Sequence, residues 1–402
     1  MKPRTIAIAA AGGLVVTALA IGAVLGISHL LTRSPQTAPL ANRDGGLKEM
    51  PPFVGGGAPP RIAVDFAPPA FDDAVVVEPF GAGAPVKPIE RIADLRGAAP
   101  AGREAKLSVP LTHENLTVFL VRGPGKAAAN VITLQEALDA NLATVHEGLS
   151  ISNRSDKALF VQAGDIVKGG TQDRVLPYDY LSPAGASRFP VAALCVESGR
   201  SFARAGEASS YFEMSCERLP TTNLRLAAYR RAQGEVWAGV ARTQEELGRV
   251  LGASVRASLS STSLQLTLEH PVVKDATSEC VNKLLPSILK EEDAVGMVVV
   301  VNGKIQSADI YGSADLFRKM SPKLLRAAAV ERLTLRDRSK ATVPSPEAVQ
   351  AFLDVPESAR ASEMTGSGRL RMITQETSGA ALFDACDRDA GNAVIHRTVL
   401  AR

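Results

Sequence analysis

From Leu107 onward the chain is written in short apolar runs with clear periods. LTVFLVRG (Leu116 to Gly123) reads as a strand, and LSISNRSDKALFVQAGDIV (Leu149 to Val167) as two strands around an Asn-Arg-Ser-Asp turn. SRFPVAALCVESG (Ser187 to Gly199) is predicted as a further alternating strand after the turn LSPAGAS. In TLQEALDANL, Thr133 followed three residues later by Glu136 makes a capping box, and Leu134, Ala137, Leu138 and Leu142 share one helical face. The middle of the chain turns helical. NLRLAAYRRAQGEVWAGVARTQEELGRVLG carries apolar residues at Leu226, Tyr229, Val236, Trp237 and Val240, with Thr243 and Glu246 offering a second capping box. TSECVNKLLPSILK sets Cys280, Leu284 and Ile288 on one stripe. VGMVVVVNGKIQSADIYG is the strongest hairpin signal, two β runs joined at Asn302-Gly303, a dipeptide suited to the type I′ turn. Ser321 before Pro322 predicts a helix running to about Leu335 with proline at its first position. Three short strands, GRLRMITQE, GAALFDACD and NAVIHRTVLA, close the chain. The expected fold class is α+β: a β-rich N-terminal half, sandwich or barrel-like, with packed helices and a β-hairpin, preceded by one transmembrane helix.

The residues before Leu107 have a different texture. Ile6 to Leu31 contains no charge, long enough for the roughly 20 apolar residues that a bilayer-spanning helix needs, whereas the apolar core of a cleavable signal runs about 7–15. The length favours an uncleaved anchor. Lys2 and Arg4 precede it, so the positive-inside tendency keeps the N-terminus cytoplasmic and exports the remainder of the chain, to the periplasm or cell surface, with Arg33, Arg43 and Lys48 weakening the bias. Between Ser34 and Lys106 lie 12 of the 25 prolines, with glycine and alanine filling most gaps. Such a segment has little to bury and resists regular helix, which predicts an extended tether; DDAVVVEPF (Asp72 to Phe80) is its one strand-like run. The expected organisation is an anchor at 1–33, a linker at 34–106 and a globular domain at 107–402, its core at 107–335 and its C-terminal strands at 337–402.

Composition narrows the function. A 402-residue chain that is 46% hydrophobic can bury a sizeable core. Its 45 basic and 42 acidic residues are interspersed, so charge points to no nucleic-acid partner. His29 sits in the apolar span, and His113, His146, His270 and His396 are scattered singly without metal-ligand spacing, which assigns them structural or surface roles. No nucleophile elbow, Walker loop or dinucleotide fingerprint occurs, and no cofactor is expected. Cys195, Cys216, Cys280 and Cys386 lie far apart; in an exported domain a disulfide among them is possible, and Cys195 in ALCVE reads as a buried apolar residue.

The chemistry-bearing residues cluster in GDIVKGGTQDRVL (Gly164 to Leu176). Gly169-Gly170 permits positive φ and exposes consecutive N–H groups as an anion-binding concavity, around which Lys168, Arg174 and Arg200 supply cationic donors. Gln172, Asp173, Glu197, Gln233 and Glu235 then orient a polar ligand, with Trp237 beside them. The alternative for the same residues is a buried network in which Arg174 pairs with Glu197 or Glu235 and locks helix to sheet over Trp237. Acid–base work by Glu197 and Glu235 is a third possibility.

GGTQDRVL, PVAALCVESGR and QGEVW, in that order, resemble the ARG and rhodanese-phosphatase-superfamily-associated protein domain, a largely uncharacterised family, over Leu107 to about Leu335 and the C-terminal strands. Its pattern runs Gly-Gly-x-Gln-x-Arg, Cys-Val-Glu-x-Gly-Arg and Gln-Gly-x-x-Trp; here Thr171 stands where lysine is common, and Ser201-Phe202 follows Arg200 where an aromatic often comes directly. The resemblance implies genomic association with ADP-ribosylglycohydrolases and phosphatases, which is context and not an activity. Two functions are expected: from the apolar span, the extended linker and the absence of a catalytic signature, a membrane-tethered, extracytoplasmic binding or interaction module taking a small anionic ligand or a protein partner; or, from the glycine turn with its arginines and the family context, a hydrolase or sensor acting on a phosphate- or ribose-containing ligand.

Overall fold

The computed structural model describes residues 87–88, 106–123, 131–336, 342–354, 360–365 and 369–402, all within one compact unit, Pro69–Arg402. The expected anchor at 1–33 lies outside the described residues, as does DDAVVVEPF; of the expected linker only 87–88 and 106 are described. No helix among the described residues is long and apolar enough to cross a membrane.

The fold is α+β. Its largest sheet has ten strands, in the order 87–88, 360–365, 370–376, 380–387, 393–401, 304–311, 294–301, 116–122 and 106–107, with 111–113 also on 116–122. Every pairing in it is antiparallel. Lys87–Pro88, within the stretch expected to be an unstructured tether, pairs with Ser362 and Glu363 at one edge. The Asn302-Gly303 turn forms as expected: both residues have positive φ, 49° and 73°, and Val301 faces Lys304. A seven-stranded sheet and a three-stranded sheet complete the β structure. In the former, 211–218, 165–169, 174–175 and 194–195 are consecutive neighbours.

Seven helices are described: α1 (Leu134–Asp139), α2 (Thr222–Tyr229), α3 (Gln233–Leu251), α4 (Leu264–Glu269), α5 (Pro271–Lys290), α6 (Ala314–Thr334) and α7 (Pro346–Leu353). The large sheet is covered on both faces where 294–301 lies, so that strand is a continuous apolar run rather than an alternating one. Leu116, Val118 and Leu120 pack with Cys280, Leu284 and Ile288 of α5 and Leu316 and Phe317 of α6. Phe119 and Val121, on the opposite face, pack with Val349 and Leu353 of α7. The capping box at Thr133 and Glu136 is formed as predicted.

Several local expectations are corrected. The helix predicted with Ser321 as its cap begins eight residues earlier, because Ser313 Oγ accepts the Leu316 N–H and caps α6 there. Pro322 is therefore inside the helix and leaves the Arg318 carbonyl without its usual N–H donor; Ser321 Oγ donates to that carbonyl at 3.1 Å. Thr243 is not a cap: it lies within α3 and its Oγ1 donates back to the Gly239 carbonyl at 2.9 Å. The helical stretch from Asn223 to Gly252 is two helices, broken where Arg231 takes φ 57°. The strand expected across Ser187 to Gly199 is only two short pairings with different partners, 189–190 on 150–151 and 194–195 on 174–175.

Candidate functional site

The glycine turn closes on carboxylates of the protein itself. Gly169 (φ 115°) and Gly170 (φ 52°) reverse the chain after the 165–169 strand. The exposed N–H groups then find acceptors in sequence: Gly169 N–H donates to Asp173 Oδ1 (3.1 Å), Thr171 N–H to Glu147 Oε1 (3.1 Å) and Asp173 N–H to Glu197 Oε2 (3.0 Å). Glu147 lies so close over the turn that a Cβ at position 170 would stand 1.8 Å from its Oε2. The concavity that sequence offers to an anion is occupied by Asp173, Glu147 and Glu197.

Two arginines complete the cluster. Arg200 places Nε 2.8 Å from Glu197 Oε1 and Nη2 2.8 Å from Glu197 Oε2, a bidentate pair, and its Nη1 donates to the carbonyls of Gly170 and Phe202. Arg204 grips Asp173 in the same way, Nη1 to Oδ2 at 2.8 Å and Nη2 to Oδ1 at 2.6 Å, and reaches Glu207 with Nε. Ser263, the N-cap of α4, donates Oγ to Asp173 Oδ2 at 2.7 Å, which ties the turn to the helical layer. Asp173 and Glu197 are 0% exposed, Arg200 7% and Arg204 6%. Burial raises the Asp173 carboxyl and, despite Arg204, the neighbouring Glu197 charge helps hold it above the usual carboxylate range. For Glu197 burial also pushes up, but the hydrogen bonds from Arg200, Ser260 and the Asp173 N–H, together with the Arg200 charge, outweigh it and the carboxyl sits below its ordinary value.

The other sequence-selected residues surround this cluster without all joining it. Trp237 Nε1 donates to the Glu197 carbonyl at 3.2 Å, and the Gln233 side chain clamps the Cys195 backbone at 2.8 Å in both directions. Arg174 does not pair with Glu197 or Glu235; its Nη1 meets Cys195 Sγ, which also contacts Gln172 Oε1 at 3.0 Å. Burial pushes the Cys195 thiol up more than Arg174 draws it down, which keeps the sulfur protonated. Lys168 extends to Glu269 at 3.4 Å, and Glu235 is exposed on the first turn of α3, outside the network. All four cysteines are free thiols.

Sequence reasoning missed Arg204, Glu147 and Ser263, and it missed a second buried charge centre altogether. His396, in the 393–401 strand, is 0% exposed; its Nδ1 lies 2.8 Å from Asp179 Oδ2 and its Nε2 3.2 Å from Asp309 Oδ1. Arg225 of α2 holds Asp309 with both Nη atoms, at 2.6 and 3.1 Å, and Arg218 Nη1 stands 3.7 Å away. The ring stacks on Tyr311 at a centroid distance of 4.5 Å. Burial works against a charged imidazole, but Asp179 and Asp309 prevail and raise His396 to about 9. The local signal was an isolated histidine in an apolar strand; its partners come from elements more than eighty residues away. Among the described residues no group of histidine, cysteine and acidic side chains is placed to hold a metal ion.

Both charge centres are closed to solvent, whereas a cleft of about 620 Å³ is open beside the second. One wall is the face of α3 carrying Gly239, Arg242, Thr243, Glu246 and Arg249; the others are Thr221–Asn223 at the start of α2, Lys304–Gln306, the end of α6 with Glu331 and Arg336, and Arg402. Five cations face two carboxylates there. Arg249 is engaged by Glu246 (2.7 Å) and Arg402 by Glu376 (3.2 Å), while Arg242, Lys304 and Arg336 form no ion pair among the described residues. Glu331 is spent internally: its Oε1 accepts the Thr222 N–H at 2.7 Å, and burial raises its carboxyl.

These features define an α+β domain with a sealed ionic core and a cationic cleft among the described residues. The model of ARPP-1, the ARG and Rhodanese-Phosphatase-superfamily-associated Protein domain, matches residues 104–400, and the chain belongs to that family. No curated protein and no solved structure matches it.

Proposed function

We propose that the protein is a membrane-tethered, extracytoplasmic binding module whose ligand is anionic and enters the cleft between α3 and the Asn302-Gly303 hairpin. The observation that carries this is the convergence of three cations that form no close ion pair among the described residues, Arg242, Lys304 and Arg336, from three separate elements on one concave site of ligand size. Positive charge focused in a concavity raises the local concentration of an anion and gains more per contact than the same charge on a flat surface. The motif residues support the reading from behind: the Asp173–Glu197–Arg200–Arg204 network serves as the scaffold that holds the 165–175 turn against the helices, and not as the ligand site. Hydrolysis finds less support, because the two carboxylates lining the cleft are already engaged by Arg249 and by the Thr222 N–H. The tether rests on the uncharged stretch Ile6 to Leu31 after Lys2 and Arg4.

Two measurements test this. Isothermal titration of the full chain with tripolyphosphate should show saturable binding that weakens between about 20 and 150 mM salt, as screened charge contacts do, and the Arg242→Gln/Lys304→Gln variant should lose it. Unchanged binding in that variant would remove the cleft from the proposal. Fractionation with intact-mass determination should find the complete chain in the membrane; a soluble product lacking the first thirty or so residues would remove the tether.

A further inference from the structure

The cleft also carries information about the shape of what it binds. Its α3 wall presents Arg242 and Arg249 seven residues apart, roughly 10 Å along the helix at about 1.5 Å per residue. Arg249 is paired with Glu246, and Lys304 and Arg336 stand on other walls, so the positive charge is distributed along and across the cleft instead of being gathered at one point. A single phosphate or carboxylate satisfies one guanidinium fork and leaves the rest unpaired. Between the cations the lining offers neutral donors and acceptors, Thr221, Asn223, Thr243, Gln306 and Thr334, all suited to oxyanions. Among the described residues that line it there is no phenylalanine, tyrosine, tryptophan or histidine. Aromatic side chains are the usual platforms on which bases stack, and the apolar lining here, Ile305, Leu335 and Ala401, offers no such platform.

Building on the anion-binding role proposed for this cleft, we infer that its ligand is a linear chain of phosphates recognised without a base. Successive phosphates place a charge every few ångströms along a flexible, ring-free backbone, which matches cations dispersed over three walls and makes no demand for stacking. A nucleotide would bind chiefly through its phosphate end and leave its base without an aromatic platform.

The test titrates the full chain with inorganic phosphate, tripolyphosphate, ATP and citrate, with the Arg242→Gln/Lys304→Gln variant as control. Both substituted side chains are exposed, so the variant should keep the parent melting temperature. The expected order is tripolyphosphate at least 10-fold tighter than phosphate, ATP within about 3-fold of tripolyphosphate, and citrate at least 10-fold weaker, with the variant reducing tripolyphosphate affinity 10-fold or more. ATP 10-fold tighter than tripolyphosphate would mean that the base is recognised and would overturn the inference while leaving the cleft as an anion site. Citrate equal to tripolyphosphate would overturn the phosphate specificity in the same way. Binding of none of the four probes would instead sink the anion-binding role on which the inference rests.

Discussion

Replacing Asp173 by alanine removes the acceptor that Arg204, Ser263 and the Gly169 N–H share. The side chain is fully buried, and its loss leaves Arg204 with Glu207 and a 3.4 Å contact to Glu197, which Arg200 and the Asp173 N–H already hold. Breaking a buried pair by deleting one partner costs about 3–5 kcal/mol, because the surviving charge remains desolvated. The orphaned Ser263 hydroxyl and Gly169 N–H would each add about 1–3 kcal/mol in isolation. They belong to one network, so the terms overlap, and a total near 5 kcal/mol is expected. For a domain of this size that corresponds to a fall in melting temperature of roughly 10–15 °C. The ionised network is not itself a strong stabiliser, since burial and Glu197 hold Asp173 above its ordinary range; the cost lies in leaving it incomplete. Removing Arg204 as well should therefore recover part of the loss, and the double variant Asp173→Ala/Arg204→Met should be less destabilised than the sum of the singles by about 1–3 kcal/mol. Urea unfolding followed by circular dichroism measures all three. A single variant melting within about 2 °C of the parent, or strict additivity, would refute the claim that these groups form one closed structural unit.

Three further outcomes are expected. Gly170→Ala should destabilise the domain by at least about 2 kcal/mol, since it puts a side chain at φ 52° against the Glu147 carboxylate; a melting curve superimposable on the parent would contradict the packing of that turn. His396 has its pKa raised to about 9, so its contribution is complete below the unfolded value near 6.5 and is lost as pH rises through about 9. Urea midpoints should fall between pH 7 and 9.5 by up to about 3 kcal/mol of stability, and His396→Gln should flatten that limb. Of the four free thiols only Cys216 is exposed, so a thiol reagent should modify one cysteine rapidly in the native protein and four after denaturation; two or more fast thiols would mean that the core around Cys195, Cys280 or Cys386 opens readily.

How far the sequence reached depended on how locally each feature is held together. The Asn302-Gly303 turn was legible because positive φ at two adjacent residues is a demand that few side chains meet. The Thr133–Glu136 box was legible because both hydrogen bonds close within four residues. The Ser321–Pro322 start was misjudged because the same dipeptide suits the first turn of a helix and, with a serine hydroxyl to cover the vacated carbonyl, its interior. Ser313, which does cap the helix, gave no stronger local signal than Ser321.

The three motifs were found in sequence, and the chain's family with them, yet the role of each residue was decided elsewhere. Glycines at 169 and 170 determine that the chain reverses and presents N–H groups, and those N–H groups need acceptors, a role for which an anion is suited. Sequence cannot say whether that anion comes from solvent or from the protein. The answer depends on where Glu147, twenty-four residues from Thr171, and Asp173 come to rest, and on Arg204 and Ser263 neutralising and fixing them. Arg174 and Glu235 were equally plausible members by type, and the direction in which strand and helix point their side chains leaves them outside. His396 gathers Asp179, Asp309 and, through Asp309, Arg225 from three remote segments, and the cleft is assembled from α2, α3, α6, the hairpin and the last strand. Backbone conformation and capping are short-range properties that neighbouring residues determine. Burial of charge and the shape of a cavity are set by which surfaces the packed core brings together.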